Sequence, residues 1–227
     1  MKISKQTFDI MKNFTTINVG ILIESGTTLQ TISNQKNILA KAEVPEHFDK
    51  RFAIYDLVQF LNLANSSVLV GGEYEFNDDY VKVAKEGAMS TYYYSDESTI
   101  NIPTKEVTMP EPEIKFELTE TDLSTIRQMA GILGKPDISV RGNNDQQYIT
   151  VLDVKDPTSN TFDLEVDSIS NGEDYEMHFK VDNIKILKGN YDVGISSEGI
   201  GHFVHQNLDL EYWIALEPSS KYGKGDE

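Results

Sequence analysis

The sequence predicts an α+β protein built from two similar domains of antiparallel sheet, each carrying two short helices. Three observations lead there. Apolar residues alternate with polar ones along most of the chain, four short segments break that rhythm with helical spacing, and the order helix, strands, helix, strands occurs twice. A length of 227 residues suits one large or two small domains, and either can bury a sizeable core.

The first helical segment, residues 4–14, sets Phe8, Met11 and Phe14 on one face behind Ser4 as N-cap. Ile17, Val19, Ile21 and Ile23 then alternate, the pattern of a half-buried antiparallel strand. Residues 54–66 return to helical spacing, with Leu57, Phe60, Leu61 and Ala64 on one face and Asp56 near the start. From Ile102 to Glu113 the prolines Pro103, Pro110 and Pro112 favour an extended connector. Ile114, Phe116 and Leu118 alternate again. Thr119 then caps a third helix whose first turn carries Glu120 and Asp122 and whose apolar face holds Leu123, Ile126, Met129, Ala130 and Leu133. Further alternation follows at Phe162, Leu164 and Val166, at Tyr175, Met177, Phe179 and Val181, at Tyr191, Val193 and Ile195, and from Leu208 to Leu216. A fourth helix is expected over 181–188, stopping at Gly189. Turn signals separate the runs at Ser25-Gly26, Gly71-Gly72, Gly142-Asn143-Asn144, Asn171-Gly172 and Gly189-Asn190. The tail from Pro218 to Glu227 is polar and expected to fray.

A shift of 115 residues lays Ile3, Ser4, Phe8, Met11, Lys12 and Phe14 on Leu118, Thr119, Leu123, Ile126, Arg127 and Met129. A shift of 127 lays Phe52, Ile54, Asp56 and Leu57 on Phe179, Val181, Asn183 and Ile184. Cap, core face and one basic residue coincide, so the halves are expected to be duplicates: an N-terminal domain at 1–108, a connector at 109–113 and a C-terminal domain at 114–227.

Charge narrows the function. With 20 Lys and Arg against 37 Asp and Glu, the net charge of −17 disfavours non-specific adhesion to DNA or an anionic membrane. The positive residues are unevenly placed. The helical segments carry eight, Lys2, Lys5, Lys12, Arg127, Lys135, Lys180, Lys185 and Lys188, against five acids, a net of +3 that leaves −20 elsewhere. Lys2, Lys5 and Lys12 share one arc of the first helix, opposite its apolar face, and Arg127 and Lys135 lie in the corresponding arc of the third. These are either ordinary solvated faces or a weakly basic, helix-lined surface on an acidic β-protein.

Catalytic chemistry finds no frame. The chain has no Cys, hence no thiol nucleophile and no Cys-ligated zinc, which fits a reducing cytosol. Gly131–Lys135, GILGK, has Met129 and Pro136 where a phosphate-binding loop needs Gly and Ser or Thr. Gly199-Ile200-Gly201 lacks the rest of a dinucleotide fingerprint and reads as a turn. His202 and His205 fall on opposite faces of an expected strand, and Asp163, Glu165 and Asp167 read as a solvated face, so no metal or cofactor is expected. No Gly-x-Ser-x-Gly elbow surrounds any serine. No enzymatic activity is expected. No apolar run approaches the ~20 residues of a membrane span, and the N-terminus lacks the apolar stretch of a signal peptide. A soluble intracellular protein is therefore expected.

The segments MKISKQTFDIMKNFTTINVGILIESG and FAIYDLVQFL, with EYWIALE near the end, resemble the DNA polymerase sliding clamps of T-even-type bacteriophages. The resemblance is clear over roughly 1–62 and near 208–217 and rests elsewhere on layout. It implies the DNA-clamp fold and a head-to-tail homotrimeric ring in the cytoplasm of an infected bacterial host. Such a ring encircles duplex DNA with its helices on the inner wall and tethers the replicative DNA polymerase. A clamp-loader ATPase is the implied partner that opens it. By this likeness Lys5, Lys12 and Arg127 become DNA-facing residues expected to be exposed, with Lys2, Lys135, Lys185 and Lys188 in support. Glu120, at the position matching Lys5, departs from a uniformly basic lining. The family also docks partner peptides in an apolar pocket beneath the connector, which points to Tyr92, Tyr93, Tyr94 and Met109. The plainer reading of the three tyrosines is an edge strand with Tyr93 inward and its neighbours half exposed. A β-rich structural protein of a virion or tube, assembling through strand edges, is the rival reading, and an acidic mimic of DNA is a third.

Overall fold

The computed structural model describes residues 1–103, 107–143, 146–167 and 172–223. The expected turn residues Asn144 and Asn171, residues 104–106 of the proline-rich stretch and residues 224–227 of the tail lie outside the described residues. The chain divides into two compact units, Met1–Glu106 and Val107–Glu227. Every strand pairing described within them is antiparallel.

Unit 1 runs α1 (Lys5–Phe14), β1 (Ile21–Ile23), β2 (Gly26–Ile32), β3 (Ile38–Phe48), β4 (Phe52–Ile54), α2 (Leu57–Ala64), β5 (Glu73–Phe76), β6 (Tyr80–Lys85) and β7 (Ala88–Tyr93). β1 pairs with β4, β2 with β3, and β5, β6 and β7 form a three-stranded meander. The expected alternation from Ile17 to Ile23 is only partly a strand. Residues 15–17 turn off the end of α1, Val19 is exposed, and all three residues of β1 are buried. Leu22 is buried because the far side of β1 is covered, where it packs with Ala53, Ile100 and Ile102 in a small second cluster.

Unit 2 runs β8 (Ile114–Leu118), α3 (Glu120–Leu133), β9 (Asp137–Asn143), β10 (Gln146–Leu152), β11 (Phe162–Val166), β12 (Tyr175–Lys180), β13 (Tyr191–Ser196), β14 (Ile200–His205), β15 (Leu210–Ala215) and β16 (Lys221–Tyr222). One sheet has the order β11-β10-β9-β12-β16, and β15, β14, β13 and β8 are neighbours in another. The alternation of β8 and β13 holds: Ile114, Phe116, Leu118, Tyr191, Val193 and Ile195 are all buried. Gly142 belongs to β9 rather than to a turn, opposite Tyr175, whose ring would lie 2.2 Å from any Cβ there. The GILGK run is the end of α3, closed by Gly134 in the left-handed conformation at φ 61°. His202 and His205 do lie on opposite faces of β14, and both are engaged.

The expected fourth helix is not formed. Residues Val181–Asn183 make one 3-10 turn whose N-cap supplies no side-chain hydrogen bond, and the chain then continues as irregular coil, with the Lys185 N–H donating to the Asn183 carbonyl at 2.8 Å. Ile184 and Ile186 are buried at a spacing of two, which is not the spacing of one helix face. The carbonyls of Ile184 and Ile186 are taken instead by a side chain of α3.

Candidate nucleic-acid interface

α1 forms because its N-terminus is satisfied twice. The Ser4 hydroxyl accepts the Thr7 N–H at 3.2 Å. The Glu46 carboxylate, from β3, accepts both the Ser4 N–H and the Thr7 hydroxyl. Glu46 is buried, so a residue far along the chain performs a job that a capping box performs locally. Thr7, Ile10, Met11 and Phe14 face the core, while Phe8 is half-buried against Tyr74. That leaves Lys2, Lys5 and Lys12 on the solvent side, all exposed. Lys5 pairs with Asp9 at 2.5 Å. Lys12 has no carboxylate within 4.0 Å among the described residues.

α2 lies beside α1. Asp56 caps it, accepting the Gln59 N–H at 2.8 Å, and Leu57, Phe60, Leu61 and Ala64 are its buried face, as their spacing predicts. Between the two helices runs an open groove of about 640 Å³, floored by Phe8 and Leu61 and rimmed by Lys5, Lys12, Asn62 and Asn65.

α3 repeats α1 with different means. Thr119 and Asp122 form a capping box, with the Asp122 N–H 3.1 Å from the Thr119 hydroxyl and the Thr119 N–H 3.2 Å from the Asp122 carboxylate. The expected exposure of Arg127 is corrected here. Its guanidinium is half-buried, and one nitrogen donates to the carbonyl of Ile184 at 2.7 Å and to that of Ile186 at 2.9 Å. Burial pulls its pKa below the ordinary arginine value, with Tyr191 and Tyr212 opposing the shift. The same stretch is fastened by three other side chains. Tyr191 donates to the Leu187 carbonyl at 2.6 Å, the Leu187 N–H donates to the Tyr212 hydroxyl at 3.1 Å, and His205 lies 3.3 Å from the Lys188 carbonyl. Burial raises both phenols well above the usual tyrosine value, so they stay protonated. Gly189 has a φ of 149°, and a Cβ there would meet the His205 ring at 2.2 Å. The irregular path of 184–189 is therefore built by the surrounding side chains. It leaves Lys185 half-buried and Lys188 exposed, while Lys135, just past the end of α3, is half-buried.

The aromatic run is the reverse of the plainer reading: Tyr93 is 71% exposed, and Tyr92 and Tyr94 turn inward. The cause is the two-residue turn Glu86-Gly87, both with positive φ, which pairs Lys85 with Ala88. That register sets Tyr92 opposite the buried Val81 and Tyr93 opposite Tyr80 on the outer face. Tyr92 donates to the Asp56 carbonyl at 3.1 Å and packs edge-on against Phe60, and Tyr94 stacks on Phe52 with ring centroids 4.7 Å apart. Met109 is half-buried in the coil before β8. A second concavity, about 560 Å³, lies in unit 2 and is lined by Pro112, Phe116, Val193, Gly194, His202 and Val204. Beside it His202 stacks on Trp213 at 4.7 Å and reaches Glu211 at 2.9 Å. The alternation places His202 and Val204 on the outer face, but their grouping with Pro112 needs the pairing of β8, β13 and β14.

Comparison with known proteins bears on what such a surface serves. Residues 3–73 match the DNA polymerase processivity factor family. The sliding clamp of Vibrio phage KVP40 is 30% identical over 96% of this chain and 99% of its own length. The sliding clamp of Enterobacteria phage T4 is 26% identical over 98% of this chain and 99% of its own length. Among solved structures, A. fulgidus PCNA bound to the C-terminal region of FEN-1 superposes with a TM-score of 0.72 at 14% identity, covering 97% of this chain and 100% of that one. The DNA polymerase III β subunit of Pseudomonas aeruginosa gives a TM-score of 0.68 at 15% identity, covering 96% of this chain and 66% of that one.

Proposed function

The chain belongs to the sliding clamp family of DNA polymerase processivity factors, and on that premise we propose that three copies close head to tail into a ring around duplex DNA. Family membership decides against the structural-protein reading. It gives the function, holding a polymerase on its template, and the fold is the DNA-clamp fold. The ring, its partners and its residues are the further reading.

One observation carries ring closure: each unit ends a sheet with an open edge. Among the described residues β7 pairs only with β6, and β11 only with β10. Unpaired edges invite another strand, and two different edges on one chain give the heterologous contact from which rings are made. The exposed faces differ in character. β6 and β7 present Tyr80, Lys82, Met89 and Tyr93, whereas β11 presents Asp163 and Glu165. An uncharged aromatic edge, with Lys82 one strand behind it on β6, meeting an acidic one favours head-to-tail over head-to-head closure. In this reading Tyr93 serves assembly.

A ring holds DNA topologically, so a few mobile cations suffice and tight phosphate binding would hinder sliding. Lys2, Lys5, Lys12, Lys135, Lys185 and Lys188 remain the inner-wall set. The acidic remainder keeps DNA from adhering elsewhere. A clamp-loader ATPase opens the ring, and the replicative polymerase binds it through a short apolar segment, for which the concavity around Pro112 and Val204 within unit 2 offers a formed apolar lining. The protein works without catalysis of its own, in the cytoplasm of an infected bacterium. No helix among the described residues is long and apolar enough to cross a membrane.

Native mass spectrometry tests the closure. From a chain of 25.6 kDa a trimer of about 77 kDa is expected, and Lys82→Glu, which puts negative charge one strand behind the edge that meets the acidic β11, should shift it towards monomer. An open ladder of higher oligomers would contradict the ring.

A further inference from the structure

The repeat makes α1 and α3 counterparts, so a ring of duplicated domains offers the duplex both helices. Their solvent faces are unlike. α1 and its approach expose Lys2, Lys5, Gln6 and Lys12. α3 exposes Glu120, Thr121, Ser124, Gln128, Gly131 and Ile132, with no cation among them. The two matched positions show why. Where α1 has Lys5, α3 has the exposed Glu120. Where α1 has Lys12, α3 has Arg127, whose guanidinium is committed to the carbonyls of Ile184 and Ile186.

We infer that, of this matched pair, only α1 engages the phosphates of the encircled duplex, while α3 forms a wall without electrostatic grip because its one cation fastens the 184–186 segment. The inference rests on the ring reading above. The occupant of the α1 face follows from charge: exposed lysines, of which Lys12 has no carboxylate within 4.0 Å among the described residues, rim a groove in a protein whose net charge is −17, so a polyanion is drawn to such a face rather than to the surface at large. Arg127 thus belongs to the architecture of unit 2, and the matched helices of each ring make three electrostatic contacts rather than six.

Tracking single loaded rings on duplex DNA over a range of salt tests this, because phosphate contacts resist sliding and weaken as salt rises. Lys5→Gln with Lys12→Gln should speed diffusion at low salt by about two-fold or more and flatten its salt dependence. Arg127→Lys keeps the charge but loses the double carbonyl contact. In rings verified as intact it should leave diffusion unchanged, as should Glu120→Gln, which alters an exposed side chain without touching a core contact. If the lysine pair changes nothing, or if either α3 variant shifts diffusion as much as the lysine pair does, the inference is overturned while the ring reading stands. Failure of the wild-type chain to remain on circular DNA would overturn the ring reading and this inference with it.

Discussion

Lys12 and Arg127 stand at matching positions on two copies of one helix, and they do different work. In unit 1 a second helix, α2, packs beside α1 through Leu57, Phe60, Leu61 and Ala64, and Lys12 is left in solvent. In unit 2 the matching stretch never winds into a helix, and Arg127 turns inward to hold its carbonyls. A duplicated domain can thus exchange a helix for an irregular segment if a cation elsewhere takes up carbonyls of that segment. The exchange moves a positive charge from an exposed to a half-buried position.

The largest effect should come from breaking that arrangement. Arg127→Met strands two partly buried carbonyls and should cost about 3 kcal/mol of stability in urea titrations at fixed protein concentration. Arg127→Lys, which cannot span both acceptors, should recover less than half of it.

The caps sharpen the comparison at a smaller scale. Glu46→Ala removes a buried carboxylate that accepts from Ser4 and Thr7 and should cost about 2 kcal/mol. Asp122→Ala removes a partly exposed local cap and should cost about 1 kcal/mol. Equal losses would mean that the two caps are energetically the same device.

Acid should act on unit 2 first. His178 is buried in β12, and burial lowers its pKa from 6.5, with Arg141 and Lys221 adding to the shift and Glu176 and Asp137 opposing it. The unfolded chain therefore takes up this proton before the folded one does. Stability from this group is present above pH 6.5 and is lost as pH falls from there towards the folded-state value. The matching residue in unit 1 is Arg51, exposed and paired with Glu24 and Glu97. Hydrogen exchange from pH 7 down to 5 should loosen β12 before β4, and His178→Gln should abolish the difference. The smallest effect belongs to Lys12→Met, within about 0.5 kcal/mol of neutral.

Much of the fold was legible because its signals are local. Ser4, Asp56 and Thr119 cap the helices they precede, and the alternation at 114–118 and 191–195 matches its burial residue for residue. What could not be read depends on partners distant in sequence. Nothing in VDNIKILKG reveals that Arg127, more than fifty residues earlier, takes its carbonyls, although Ile184 and Ile186 carry a weak period-two hint. Nothing near Ser4 points to Glu46. The orientation of Tyr93 hinged on Glu86-Gly87 forming a two-residue turn, a signal weaker than Asn-Gly or Asp-Gly. The candidate site was half legible for the same reason: spacing located Lys5 and Lys12 on the surface and set Arg127 beside them, but only tertiary structure shows where a guanidinium ends.

The most direct test holds charge constant and changes only geometry. Hydrogen exchange on Arg127→Lys, followed at the amides of 184–189, should show protection lost there while α1, α2 and the amides around Lys12→Arg keep theirs. Unchanged protection at Leu187 and its neighbours in Arg127→Lys would contradict the claim that this arginine builds the segment.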